Sequence, residues 1–176
     1  MSKPGAPVLC AHYCRPAGNS QLTDALDCTA MTSARPDHEP DPPLTGGCGC
    51  GRVRWELSAP PSGARYCHCT RCQRRTGTAA SPGAQVVPGS FRVTSGEELI
   101  GAWRPAGGFD KHFCTECGSA LFSRDPDDHA VVMVRLGSFD GDPGVRPSAR
   151  QFVDSACVWE RIPDDGLTRH GGRAPR

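Results

Sequence analysis

The sequence has few lysines, few aromatic residues and no long apolar run. Only 6% of its 176 residues are aromatic, and two are lysine. The longest unbroken apolar stretch is about that from Ala130 to Val134, far short of the ~20 residues of a membrane helix. No transmembrane helix is expected. A dominant sign of charge is missing too: 20 Lys+Arg stand against 19 Asp+Glu, a net +1. Neither a nucleic acid nor an anionic membrane surface would find an attracting field to follow. Also lacking is the charged start followed by an apolar run of ~7–15 residues that marks a secretory leader. The expectation is a cytoplasmic protein, in a reducing compartment where its 11 cysteines, an odd number, serve as ligands rather than in disulfides.

Between Leu9 and Arg52 there is no Val, Ile, Phe or Trp, so little there can offset the entropy cost of ordering. Residues 1–44 are expected to be disordered, with Met31 a possible true start. At the far end Leu167 is the only large apolar residue after Pro163, and residues 169–176 are expected to form a loose tail. Between these ends Val53, Trp55 and Leu57 alternate with Arg52, Arg54 and Glu56, the period-two pattern of a half-buried strand. Further strands are predicted at Gln85–Val87, Phe91–Thr94, Leu99–Arg104, Lys111–Cys114, Ala120–Ser123, Val131–Leu136 and Gln151–Asp154. Pro88-Gly89, Ser95-Gly96 and Ala106-Gly107-Gly108 supply turns between them. No helical period is long enough to assign a helix. The prediction is one antiparallel all-β domain over residues 45–168, with Trp55, Trp103, Phe113 and Trp159 as core aromatics.

Seven cysteines fall into three groups: Cys48-Gly49-Cys50, Cys67-His68-Cys69-Thr70-Arg71-Cys72 and Cys114-Thr115-Glu116-Cys117-Gly118. In extended backbone a C-x-C pair puts both sulfurs on one side, close enough to span a tetrahedral zinc edge of ~3.8 Å. A C-x-x-C followed by Gly is a zinc-knuckle turn, with Gly118 free to take positive φ. Two pairs make one closed four-thiolate site, Cys48, Cys50, Cys114 and Cys117. The remaining three, Cys67, Cys69 and Cys72, make a second site with an open position, the feature that separates catalytic from structural zinc. Two Zn²⁺ per chain are expected. Closure of the second site by His68 stays open as an alternative, although the ring of a residue between two ligands should point to the opposite face. Cys10, Cys14, Cys28 and Cys157 match no vacant site.

Gly46-Gly47-Cys48-Gly49-Cys50-Gly51-Arg52-Val53-Arg54, Cys67-His68-Cys69-Thr70-Arg71-Cys72-Gln73-Arg74-Arg75-Thr76-Gly77 and Phe113-Cys114-Thr115-Glu116-Cys117-Gly118-Ser119 resemble the glutathione-dependent formaldehyde-activating enzyme family, also called the centromere protein V family. The closing segment with Pro147, Trp159 and Pro163-Asp164-Asp165-Gly166-Leu167 is similar as well. The usual Ala-Pro-Trp of the family reads Ala156-Cys157-Val158-Trp159 here. The resemblance implies a β-tent fold held together by zinc. It also implies structural zinc ligands at Cys48, Cys50, Cys114 and Cys117 and catalytic zinc ligands at Cys67, Cys69 and Cys72. The implied activity is carbon–sulfur lyase chemistry on the adduct of glutathione with formaldehyde or a related aldehyde.

Zinc removes the proton from a bound thiol, whose free pKa is ~8.5, and so can present a substrate thiolate. Three cysteine thiolates make a bound zinc formally anionic, which favours a soft thiol over hydroxide as fourth ligand. Arg71, Arg74 and Arg75 beside that group read either as clamps for a substrate carboxylate or as solvated surface arginines. The reading from a different class is a non-catalytic binding or scaffold module with both zincs structural. Nucleic-acid binding finds no basic tail to support it.

Overall fold

The computed structural model describes residues 41–175. The expectations for residues 1–40, including the start at Met31 and the isolation of Cys10, Cys14 and Cys28, lie outside the described residues. The alternation read from the sequence is realised in β2 (Arg54–Leu57): Trp55 and Leu57 are buried while Arg54 and Glu56 are half-exposed. β2 pairs antiparallel with β1 (Leu44–Gly47) and with β5 (Phe91–Ser95), giving a three-stranded sheet. Gly46 sits where only hydrogen fits, because a Cβ there would lie 2.3 Å from the Ser138 carbonyl oxygen and from the Trp55 ring.

The second sheet has eight strands. It contains β3 (Ser62–Cys67), β4 (Ser81–Gln85), β6 (Ile100–Trp103), β7 (Asp110–Cys114), β8 (Ala120–Arg124), β9 (Val131–Arg135), β10 (Ala149–Gln151) and β11 (Thr168–His170). Their spatial order is β11-β10-β3-β4-β9-β8-β7-β6. Aromatic side chains join the sheets: Trp55 meets Phe139 edge-on at 4.9 Å and Phe91 at 5.6 Å, and Phe91 meets Phe122 at 4.8 Å. Val53, Leu57, Leu121 and Val134 complete a fully buried centre, and Cys48 and Cys114 belong to the same cluster. Burying a large side chain of this kind contributes ~1.5–3 kcal/mol, and Cys48 and Cys114 are anchored in this core while Cys50 and Cys117 stay exposed.

The mainly β architecture follows the sequence reading, but β1, β3 and β11 were not among the expected strands, and other details differ. β10 runs parallel to both β3 and β11, so the sheet is not wholly antiparallel. β10 also begins earlier than the expected Gln151–Asp154 and stops at Gln151, since Phe152 turns into the left-handed region at φ 58°. β4 occupies Ser81–Gln85 instead of Gln85–Val87. Its Ser-Pro-Gly-Ala-Gln has no alternation to read, and Gly83 lies close under Met133 of β9, where a Cβ would come within 2.9 Å of the sulfur. Among the described residues one α-helix is present, α1 (Thr70–Thr76), closed by Gly77 at φ 67°; seven residues are too few to reveal a helical period.

The segment 169–175, expected to be a loose tail, is instead fastened to the sheet. Thr168–His170 pairs with β10, Ala174 is only 4% exposed, and its N–H donates to Gln151 Oε1 at 3.2 Å. The signal was hidden because backbone pairing and a single alanine, not large apolar side chains, do the fastening. Trp103 and Trp159, expected in the core, are 42% and 67% exposed. Each lies at a strand end or in a loop whose neighbours offer no cover.

Candidate metal centres and the adjoining cavity

Four sulfurs from distant parts of the chain converge on the first centre. Cys48 and Cys50 follow β1, Cys114 ends β7, and Cys117 lies in the turn to β8. All four Sγ atoms are within 4.8 Å of one another, with Cys48 and Cys50 at 3.3 Å and Cys50 and Cys114 at 3.9 Å. These separations are too long for a disulfide bond of ~2.05 Å and bracket the ~3.8 Å edge of a zinc tetrahedron. The donor set therefore fits a closed tetrathiolate ion site. The local backbone supports it: Gly118 takes φ +73° and donates its N–H to the Cys114 carbonyl at 2.8 Å. The Val53 N–H points at Cys48 Sγ at 3.2 Å, a contact that stabilises a thiolate. Hydrogen bonding from the Ser119 hydroxyl and backbone pulls the Cys117 thiol down to about 6.

The second centre is local in sequence. Cys67 ends β3, Cys69 is the residue before α1, and Cys72 lies in its first turn. Their three sulfurs also fall within 4.8 Å of one another, and among the described residues no histidine, carboxylate or further thiol joins them. Cys67 and Cys69 are 3.4 Å apart. Hydrogen bonds from Cys67 and then Cys72 hold the Cys69 thiol far below its usual range, while those to Cys69 and Cys72 push Cys67 up. A set of thiols this close, with one already inclined to ionise, is suited to a divalent ion. The loop is held by its neighbours: the His68 N–H donates to the Gln151 carbonyl at 2.9 Å, and Gln73 Nε2 donates to the carbonyls of His68 and Ser155.

His68 lies away from the sulfur group. The residue is 3% exposed, with Nε2 at 3.3 Å from Arg150 Nη1. Arg150 pairs with Asp165 at 2.6 Å and stacks over Tyr66. Burial and then the Arg150 charge depress the His68 pKa. Cys157 is half-buried and apart from both groups.

A cavity of about 490 Å³ opens beside Cys67, Cys69 and Cys72, and Phe109, Lys111, Met133, Arg135, Phe152 and Arg173 contribute to its walls. Of the three arginines singled out from sequence, Arg71 lines this cavity, but its guanidinium donates to the carbonyls of Ala106 and Gly107. Arg74 is exposed and outside the lining. Arg75 is half-buried and also outside the lining, and burial followed by the nearby Arg135 charge lowers its pKa to about 10. The same two causes push Lys111 down to about 8. Lys111, Arg135 and Arg173 were not read from the sequence as site residues. Only the rarity of lysine marked Lys111, and β-strand arginines such as Arg135 look like surface charges until the strand's neighbours are known.

A family model described as glutathione-dependent formaldehyde-activating enzyme matches residues 43–155. A protein of Halomonas elongata, named "Putative glutathione-dependent formaldehyde-activating enzyme", is 28% identical over 129 residues, covering 68% of this chain and 80% of its own. The crystal structure of a Rhodobacter sphaeroides protein is similar at a TM-score of 0.46 and 22% identity, covering 72% of this chain and 99% of its own. No helix of the described residues is long and apolar enough to cross a membrane.

Proposed function

The chain belongs to the glutathione-dependent formaldehyde-activating enzyme family, and on that premise we propose that it is a zinc-dependent enzyme of the carbon–sulfur lyase type acting on a small thiol. The observation that carries this reading is the three-sulfur group at the edge of a cavity, with no fourth protein ligand beside it among the described residues. Cys48, Cys50, Cys114 and Cys117 would hold a structural zinc, and Cys67, Cys69 and Cys72 a second one. When bound there, zinc supplies a coordination position at which a thiol is held as its thiolate at neutral pH.

In the forward sense the sulfur lone pair forms a C–S bond to the carbonyl carbon of an aldehyde. The carbonyl π pair moves to oxygen, which takes up the proton that the thiol has given up, and the product is a hemithioacetal, an S-hydroxyalkyl thioether. Glutathione and formaldehyde are the pair the family's name suggests. The chain's own residues confine the two reactants: Phe109, Met133 and Phe152 form apolar walls, while Lys111 and Arg135 bring positive charge. Holding two reactants together can supply several kcal/mol of the barrier reduction. The hydrogen bonds from Gln73 and to Gln151 fix the Cys67–Cys69 loop so that the sulfurs keep their spacing.

The test is Cys69→Ser. Turnover of thiol plus aldehyde should be lost while the ion of the four-cysteine centre is retained, as counted by native mass spectrometry. Retention of full turnover in this variant would refute the catalytic assignment. Retention of two zincs without thiol binding by the unaltered chain would favour a scaffold module instead.

A further inference from the structure

Three basic side chains from three different elements gather around the three-cysteine group: Arg75 from α1, Lys111 from β7 and Arg135 from β9. Lys111 and Arg135 share one cavity wall with Cys67, Cys69 and Cys72, and Arg75 lies on the same helix as Cys72, three residues further on. None of the ion pairs among the described residues uses any of them. All three guanidinium nitrogens of Arg75 and the Nε of Arg135 are buried without a hydrogen-bond partner. Arg135 Nη2 and Lys111 Nζ share one neutral group, the Ser123 hydroxyl, at 2.9 and 3.4 Å. The two acids in the cavity wall, Asp125 and Asp128, direct oxygens at backbone N–H groups of Asp127 and Ala130.

Buried cations without counter-charge are costly, so the cluster needs an anion. The thiolates supply only part of it: three thiolates with a divalent ion amount to one negative charge, against three cations. A ligand that brings one further thiolate still leaves a positive charge uncompensated. A ligand carrying both a thiolate and a carboxylate balances these three cations, beside which the cavity wall also holds Arg65, Arg71 and Arg173.

We propose that Arg75, Lys111 and Arg135 form an anion subsite of this cavity, selecting a small thiol that carries a carboxylate a few bonds from its sulfur. The inference rests on the thiol reading of the same site. Lys111 and Arg135 reach the cavity wall and meet the carboxylate, and Arg75, outside the lining, adds charge from behind them. A flat guanidinium and an ammonium together suit a carboxylate in the charge-assisted geometry that strengthens such bonds.

The experiment is calorimetric titration of the zinc-loaded full chain with 3-mercaptopropionate and with 2-mercaptoethanol, which differ in the carboxylate. The unaltered chain should bind the mercapto acid at least tenfold more tightly. Lys111→Met should cut that ratio at least threefold with the zinc count unchanged. Arg75→Met provides the same reading should the lysine variant fail to fold. Equal affinity for the two thiols would overturn the anion subsite and leave the thiol reading standing, as would a ratio unchanged in both variants. Binding of neither thiol would overturn both.

Discussion

Replacing Cys117 by serine should weaken a link across most of the domain, whereas replacing Cys69 loosens one confined to a few residues. Cys50 and Cys114, whose sulfurs meet at 3.9 Å, are 64 positions apart. If an ion joins them, the closed loop removes about 4 kcal/mol of chain entropy from the unfolded state, by the relation used for crosslinks. The short Cys67–Cys72 span gives about 2 kcal/mol on the same relation. Against a typical total stability of ~5–15 kcal/mol the first is a large fraction. With each kcal/mol worth roughly 3–5 °C in a domain of this size, Cys117→Ser should lower the melting temperature by about 12–20 °C and Cys69→Ser by about half that. Scanning calorimetry measures both, with native mass spectrometry confirming that one ion has been lost from each variant. An equal or larger drop for Cys69→Ser would refute the assignment of the four-cysteine centre as the long-range fastening.

Gly46→Ala forces a Cβ to within 2.3 Å of the Ser138 carbonyl and the Trp55 ring, so it should unfold at clearly lower denaturant than Gly49→Ala, whose nearest neighbour is the Ser119 hydroxyl at 3.2 Å; equal midpoints would contradict the packing described. The Arg150 guanidinium hydrogen-bonds Asp165 and holds its carboxyl below the usual range. Folding therefore releases that proton more readily than the unfolded chain does, so the pair's contribution is complete above about pH 4 and is lost as the pH falls through the lowered value. Asp165→Asn should consequently lower the melting temperature at pH 7 and leave less difference from the unaltered chain at pH 2–3; a difference that grows on acidification would reverse the sign argued here.

What the sequence disclosed, and what it hid, divides by the range over which each signal acts. The alternation of Val53, Trp55 and Leu57 is set by neighbours along one strand, so β2 was legible residue by residue. The cysteine groups were legible because metal ligation imposes spacing on the chain itself, and the structure brings the same seven sulfurs into the same two sets. β3 carries Ser-Gly-Ala-Arg-Tyr-Cys and β4 Ser-Pro-Gly-Ala-Gln, and neither shows alternation. They are strands because of the strands on either side of them. Lys111 and Arg135 come to the cavity by the same long-range register, through β7, β8 and β9, which no single stretch of sequence encodes. The parallel placement of β10 against β3 was equally invisible, and it is this pairing that brings Gln151 to the Cys67–Cys69 loop.

The division of seven thiols into a split set and a local set has a consequence for how the protein is made. Synthesis runs from the N-terminus, and segments organise in the order in which they emerge from the ribosome. Cys48 and Cys50 come out first, then Cys67, Cys69 and Cys72, and only much later Cys114 and Cys117. For that interval the nascent chain carries five thiols of these two centres and none of the two that complete the first. A metal ion arriving early meets a choice of wrong four-sulfur combinations, each drawing the start of the domain toward the Cys67–Cys72 loop. The native partition is reached only when the Cys114–Cys117 turn appears and β7 carries it against Val53. If both centres take zinc, metal availability during translation would be a variable in the yield of folded protein, and zinc supplied after synthesis would have a simpler task than zinc supplied during it.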